Sequence, residues 1–346
     1  MKLSMGLGYT GDPKAAARRA REFESAGIDM VWVAELYSFD AVSILGYLAG
    51  QTERMELASG ILPLYSRTPT LTAMTAAGLD AVSEGRFVLG LGASGPQVIE
   101  GWHGVPYTKP LTATKEIIDI CRKVWKRERV EYDGELYKLP LPPDQGTGLG
   151  KPLKIINHPV RENIPIYLAS LGPKNVQMTA EIADGWLPAF FHPDKAREVF
   201  GPDLDAGAAR RDPSLAPLEI VAGGTVAITN DADVAKKIRD RGRGGTALYV
   251  GGMGAKGKNF YNNVFRRYGY EAEAEKIQDL YLSGQKAEAE ALVPDDYLEA
   301  TALVGDEGRV RERIEAYKAA GVTRLSITPV GDDPLALIEK VKAWAD

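Results

Sequence analysis

Residues 55–95 read MELASGILPLYSRTPTLTAMTAAGLDAVSEGRFVLGLGASG. Residues 55–62 predict a strand. Thr68 and Pro69 then open a helix, because a threonine oxygen caps free N–H groups and proline is preorganised for the first helical position. Leu71, Met74 and Val82 are expected to face inward, and Gly85 to end the helix. Residues 86–91, RFVLGL, form a nearly continuous apolar run, the pattern of a strand buried on both faces. Strand, helix and buried strand in succession make a βαβ unit with parallel strands.

The unit recurs on either side. Upstream, residues 3–8 predict a strand, and Asp12-Pro13 starts a helix with Ala16, Ala20 and Phe23 on one face and a stop at Gly27. Residues 28–34, IDMVWVA, predict a second buried strand, and 41–52 a helix. Downstream, 111–127 reads as an amphipathic helix, 164–169 as a strand, 173–183 as a helix, 186–190 as a short strand and 218–228 as a strand. Val310, Ile314 and Tyr317 line a helix stopped by Gly321, before a strand at 323–328 and a last helix at 334–344. Eight strands alternating with helices in 346 residues predict an α/β fold, a closed (β/α)8 TIM barrel, as a single domain over 1–346. The rival is an open doubly wound sheet, but no GxGxxG follows the first strand. Two stretches depart from the unit: about 130–163, with a hairpin turning at Asp133-Gly134 and a Pro/Gly-rich loop, and 236–301, helical and charged. Both are read as insertions of the kind that serve as lids or partner surfaces.

Composition narrows the function. At 45% hydrophobic and 26% charged the chain is an ordinary globular protein, not a disordered one. A net charge of −5 without a basic block argues against nucleic acid as a partner. No apolar run reaches the ~18 residues of a membrane span, and the N-terminus MKLSMGLGYTGD lacks a signal-peptide core. The single cysteine, Cys121, fits a reducing compartment and is read as a packing residue. A cytoplasmic location is expected.

In a barrel the chemistry sits where strands end. Strand two runs into Glu35, which could contact a cofactor or handle a proton, or instead cap a loop or pair with a cation. Strand three ends at Ser59-Gly60-Ile61-Leu62-Pro63, where glycine permits close backbone approach or a β-bulge, or both. Strand four ends in Gly92-Ala93-Ser94-Gly95, small enough to leave room for a flat ligand or a phosphate. Strand five ends in Ala169-Ser170-Leu171-Gly172-Pro173, a helix start able to hold an anion, with Ser170 as a further donor. Tyr9, Trp102 and His103 are candidate pocket walls. His158 and His192 each precede a proline and read as turn residues. Their spacing with His103 suits no metal, so none is expected, and no GxSxG supports a hydrolase.

These stretches resemble a known family. SGILP, the Arg67-x-Pro69 pair, the run through Leu79, Asp80, Ser83 and Arg86, and LGLGASG are similar to the luciferase-like family, in particular the branch that uses the deazaflavin coenzyme F420. IYLASLGPKNVQMTAEIADGW at 166–186, AGVTRLSITP near the C-terminus and IDMVWVAE extend the likeness over most of the barrel but not closely over 236–301. The FMN-dependent monooxygenases of the superfamily usually carry N-x-V-x-G at the fourth strand, where this chain has LGLGASG, so F420 is favoured and FMN is the alternative. The resemblance implies a luciferase-like TIM barrel and a homodimer. It also implies a deazaflavin ring lying against a non-prolyl cis peptide at Gly60–Ile61, with phosphate contacts at Gly92, Ala93, Ser94 and the turn Ala169, Ser170, Leu171, Gly172. Glu35 takes the place of a cofactor-contacting aspartate. The members that oxidise glucose 6-phosphate have Asp-His where this chain has Glu35-Leu36, and a Glu where it has Gly95. The methylenetetrahydromethanopterin reductases have a Glu in strand one, where this chain has LSMGLGY. The resemblance therefore implies hydride transfer with F420 on an organic substrate that it does not name. A flavin monooxygenase and a non-catalytic cofactor-binding barrel are the alternatives.

Overall fold

The computed structural model describes residues 1–9 and 11–346. They pack as two compact units, one of residues 7–24 and 30–168, the other of residues 1–6, 25–29 and 169–346. The main strands are β1 (Lys2–Gly6), β2 (Met30–Val33), β3 (Glu56–Ser59), β4 (Phe87–Gly92), β5 (Ile166–Ala169), β6 (Gly185–Leu187), β7 (Glu219–Ile228) and β8 (Arg324–Pro329). Their hydrogen-bonded order runs β7, β8, β1, β2, β3, β4, β5, β6 and returns from β6 to β7. That cyclic order, with helical crossovers, is the (β/α)8 barrel the alternation predicts. Two short strands stand outside the expected set: Leu62–Pro63, paired with β4, and Leu303–Gly305, paired with β7.

In the first unit, β2 and β4 are buried at every residue, which is why their sequences read as unbroken apolar runs. The helix Pro69–Val82 is capped by Thr68, whose hydroxyl accepts from the Leu71 N–H at 3.3 Å. Its orientation corrects the expectation. Leu71, Met74 and Val82 are exposed, while Thr72, Ala73, Ala76, Ala77, Leu79 and Asp80 face the strands. The helix is apolar nearly all round, so hydrophobicity did not mark its inner face. Close packing did, by selecting the small residues.

The motif residues after this helix are staples. Arg86 donates to the carbonyls of Ala49, Thr52 and Met55 and to the Thr52 hydroxyl, closing the end of the helix Ala41–Ala49 and the start of β3. Asp80, fully buried, is held by Arg161, which also donates to the Phe87 carbonyl at 2.6 Å. Arg161 thus ties the insertion at 130–163 to the base of β4. The hairpin in that insertion pairs Tyr132 with Leu139 and Asp133 with Lys138. Its turn is longer than a two-residue Asp-Gly turn, closing from the Gly134 N–H to the Tyr137 carbonyl. The buried carboxylate of Glu116 sets it by accepting the N–H groups of Glu135, Leu136 and Tyr137.

In the second unit, β1 ends at Gly6, two residues short of its expected bound, and β6 ends at Leu187. Phe190, expected in that strand, instead has a left-handed φ of 56°. The insertion at 236–301 holds the helices Gly242–Ala247, Phe260–Arg267, Glu271–Leu282, Lys286–Ala291 and Asp295–Thr301, and the helix Ala232–Asp240 runs into it. His192 opens a turn, its carbonyl accepting the Lys195 N–H at 3.1 Å, and is buried between Tyr268 and Tyr297. Burial holds its imidazole below the ordinary value, against the pull of Asp194. His158 is exposed, with Arg127 Nη1 2.8 Å from its Nε2. No helix among the described residues is long and apolar enough to cross a membrane.

Candidate functional site

The decisive geometry lies between β3 and β4. Ala58 pairs with Val88, yet Leu62 pairs with Leu91. Ser59, Gly60 and Ile61 therefore stand opposite only Leu89 and Gly90, which is a β-bulge. The Gly60–Ile61 peptide inside it is cis, at the position the resemblance implies. Ser59 mends the broken ladder: its hydroxyl donates to the Gly90 carbonyl at 2.9 Å and accepts the Gly90 N–H at 2.8 Å. A Cβ on Gly90 would stand 1.8 Å from the Ser59 carbonyl oxygen, so only glycine fits there. Burial gives way at this point, since Ser59 is buried while Gly60 and Ile61 are half-open.

Behind the bulge stands Trp32. A Cβ on Gly60 would lie 3.2 Å from the Trp32 Cβ, so the indole backs the cis peptide directly. Trp32 is 8% exposed, its ring lies 5.9 Å from that of Tyr167, and its Nε1–H has no acceptor. Buried donors are nearly always satisfied in folded proteins, so an open one beside a glycine-lined bulge is a group waiting for a ligand. Sequence reasoning missed Trp32, because in an all-apolar strand an indole reads as core.

Glu35 follows β2, and both of its oxygens are engaged. Arg67 donates to Oε1 at 2.5 Å and to Oε2 at 2.8 Å, a bidentate pair, and Oε2 also accepts the Ala41 N–H at 3.0 Å. Both side chains are largely buried. Pairing with a cation, one of the two bland roles open to Glu35, is therefore filled, and the carboxylate also takes the first N–H of the helix Ala41–Ala49, whose N-cap is Asp40. Tyr9 ties the loop after β1 to this segment: its hydroxyl donates to the Ala34 carbonyl and lies 3.1 Å from the Ser38 hydroxyl. Beyond it Tyr37 and Trp102 are exposed, with rings 6.4 Å apart. His103 holds a buried Nε2 without a partner. Gly92 and Ala93 continue β4 outward, and Ser94 is exposed with a left-handed φ of 57°.

In the other unit, β5 runs into Ala169, Ser170, Leu171 and Gly172. Gly172 supplies no side-chain cap to the helix Pro173–Ile182; Pro173 has no N–H and the Asn175 N–H is bonded to the Gly172 carbonyl at 3.0 Å, which leaves the Lys174 N–H available to an anion. Ser170 does not add the donor expected of it. Thr179 spends its proton on the Asn175 carbonyl, so the Ser170 hydroxyl, 2.8 Å from Thr179 Oγ1, donates there. The Ser170 carbonyl in turn accepts from Trp186 Nε1 at 2.9 Å. Ser170 shapes the turn from inside, while Leu171 and Gly172 are its half-open residues. Among the described residues, no group of three His, Cys, Asp or Glu side chains is placed to hold a metal ion.

The family described as luciferase-like monooxygenase matches residues 1–324, and the chain belongs to it. A Mycobacterium tuberculosis protein provisionally named a coenzyme F420-dependent oxidoreductase is 44% identical over 334 residues, 95% of each chain. The 5,10-methylenetetrahydromethanopterin reductase of Archaeoglobus fulgidus is 31% identical over 326 residues, 92% of this chain and 90% of that one. Among solved structures, the coenzyme F420-dependent tetrahydromethanopterin reductase of Methanopyrus kandleri superposes with a TM-score of 0.80 at 25% identity, over 99% of this chain and 97% of the other.

Proposed function

We propose that this protein is an F420-dependent oxidoreductase moving a hydride between the deazaflavin and a small or mid-sized organic molecule. The observation that carries the reading is the bulge at residues 59–61, set against Gly90 of β4 and backed by Trp32, whose buried Nε1–H has no acceptor. The residues fit such a cofactor. Gly60 adds no side chain to the half-open bulge, Trp32 Nε1 is a buried donor without an acceptor, and Gly172 puts no side-chain cap on the helix Pro173–Ile182.

When bound, the deazaflavin supplies the carbon that gives or takes the hydride, and the protein supplies position and electrostatics. Gly60 and Ile61 would support the ring, and Trp32 Nε1–H would offer the cofactor a hydrogen-bond donor. Gly92, Ala93 and Ser94 would hold the phosphate-bearing tail. Glu35 acts through Arg67: the pair fixes the loops after β2 and β3, so Glu35 is a positioning residue. A homodimer is part of the reading. The helices Ala41–Ala49 and Pro69–Val82 pack side by side and expose Tyr47, Leu71, Met74 and Val82 without a single exposed charge. A cytoplasmic location fits the lone, buried thiol of Cys121.

Titration of the protein with oxidised F420 and with FMN, followed by cofactor fluorescence, tests the assignment. Tight F420 binding with weak FMN binding is expected. The reverse preference sinks the deazaflavin reading in favour of a flavin monooxygenase.

A further inference from the structure

Residues 236–301 contain a backbone segment with almost no freedom. Leu248–Gly252 form a turn of π-helix, a local widening of the helix often found at functional sites. Two buried asparagines clamp it. Asn259 Nδ2 donates to the carbonyls of Tyr249 at 2.8 Å and Val250 at 3.1 Å, while its Oδ1 accepts the N–H groups of Tyr261 and Asn262. Asn262 Nδ2 donates to Val250 at 3.1 Å and Ala274 at 2.7 Å. A Cβ on Gly251 would meet Tyr281 Cβ at 2.5 Å, and one on Gly252 would meet Tyr281 Cε1 at 2.6 Å. The turn is fixed from both sides, and so is the backbone that carries Tyr249.

The Tyr249 ring lies 4.8 Å from that of Tyr261 and 5.6 Å from that of Phe190, and Phe190 lies 5.7 Å from Tyr261. All three are half-buried. Beneath them Phe265 and Tyr297, both buried, touch at 4.6 Å. At the rim Phe260 is 60% exposed, its Cε1 3.6 Å from where a Cβ on Gly172 would stand. The cluster is dry at its base and open at its top. Phe190 follows the C-terminal end of β6 and Gly172 that of β5, the end of the strands where barrels of this class do their chemistry.

We propose that Phe190, Tyr249, Tyr261 and Phe260 form a substrate-binding wall beside the C-terminal ends of β5 and β6, and that the part of the substrate they recognise is a flat, conjugated ring system. The proposal rests on the oxidoreductase reading. Ring faces and edges held at fixed positions favour flat π-surfaces through offset and edge contacts, and a preformed wall orders nothing on binding. A core needs no exposed Phe260, and a surface needs no π turn clamped by two asparagines. Continuity with the turn at 169–172 assigns the wall to a substrate and not to a protein partner.

Two probes separate flat from bulky ligands: menadione, a planar two-ring quinone, and camphor, a compact globular ketone of similar mass. Each is titrated calorimetrically into the protein with and without F420. Menadione is expected to bind about tenfold or more tightly than camphor. Tyr249→Ala and Phe260→Ala should each weaken menadione by about tenfold, with Tyr249→Phe restoring it and F420 affinity unchanged throughout. Phe260 is exposed, so Phe260→Ala tests the wall even where Tyr249→Ala disturbs the fold. No menadione binding, equal binding of camphor, or an exposed-ring variant that keeps full menadione affinity while still binding F420 overturns the proposal. Failure of F420 binding with menadione still preferred sinks the cofactor reading and leaves the wall standing.

Discussion

At the scale of residues, Glu35 and Arg67 show how position in the sequence differs from role. A carboxylate directly after a buried strand is where a barrel could keep an acid or base. Here it is neutralised by a guanidinium 32 positions away and takes the first N–H of a helix as well. Removing one partner of a buried pair leaves the other charge uncompensated, so Arg67→Ala is expected to cost about 3–5 kcal/mol of stability, read by urea unfolding. Adding Glu35→Gln should recover part of that loss. An Arg67→Ala protein as stable as the parent would mean that Glu35 is free to handle protons after all. Ser59 and Gly90 were legible as types, serine and glycine at strand ends, but their reciprocal hydrogen bonds were not. Those bonds depend on a bulge that no local pattern announces.

At the scale of elements, carboxylates fix the entries into strands. Glu24, at the end of the helix Pro13–Ser25, accepts the N–H groups of Glu53, Arg54 and Met55 and so sets where β3 begins. Partial burial raises its proton affinity, but the N–H groups of Met55, Arg54 and Glu53 outweigh this and hold the carboxyl below its ordinary 4.5. A group whose folded pKa is depressed stabilises the fold fully above the unfolded value and loses that contribution as pH falls through the folded value. Glu24→Gln is therefore expected to cost about 1.5–3 kcal/mol near neutrality. The gap between parent and variant should close as pH drops below 4.5. A gap that stays constant down to acid unfolding would remove Glu24 from the account. The alternation of strands and helices was legible throughout, and bounds shifted by only a few residues. The four-residue hairpin turn was not, because it follows Glu116, a residue from another element.

At the scale of the whole molecule, the face carrying Leu71, Met74 and Val82 matters most. With a net charge of −5, two copies meet with least repulsion where neither exposes a charge. Met74→Glu places a like charge on each copy at that face. Sedimentation should show the parent as a dimer of 37.5 kDa chains and the variant largely as monomer. A parent that sediments as a monomer sinks the homodimer.

The sequence by itself determined the parallel alternation and the eight strands, written in local period and capping residues, and its contiguous motifs carried the resemblance that implied the family and the cis peptide at Gly60–Ile61. Tertiary structure alone decided which side of the helix Pro69–Val82 is inside, that Glu35 is paired, that His192 is buried, and that Tyr249 meets Phe190. The physical reason is common to all four. Periodicity tells which side chains share a face, but burial, ion pairing and ring contact depend on which distant residue arrives opposite, and that is settled only when the elements pack.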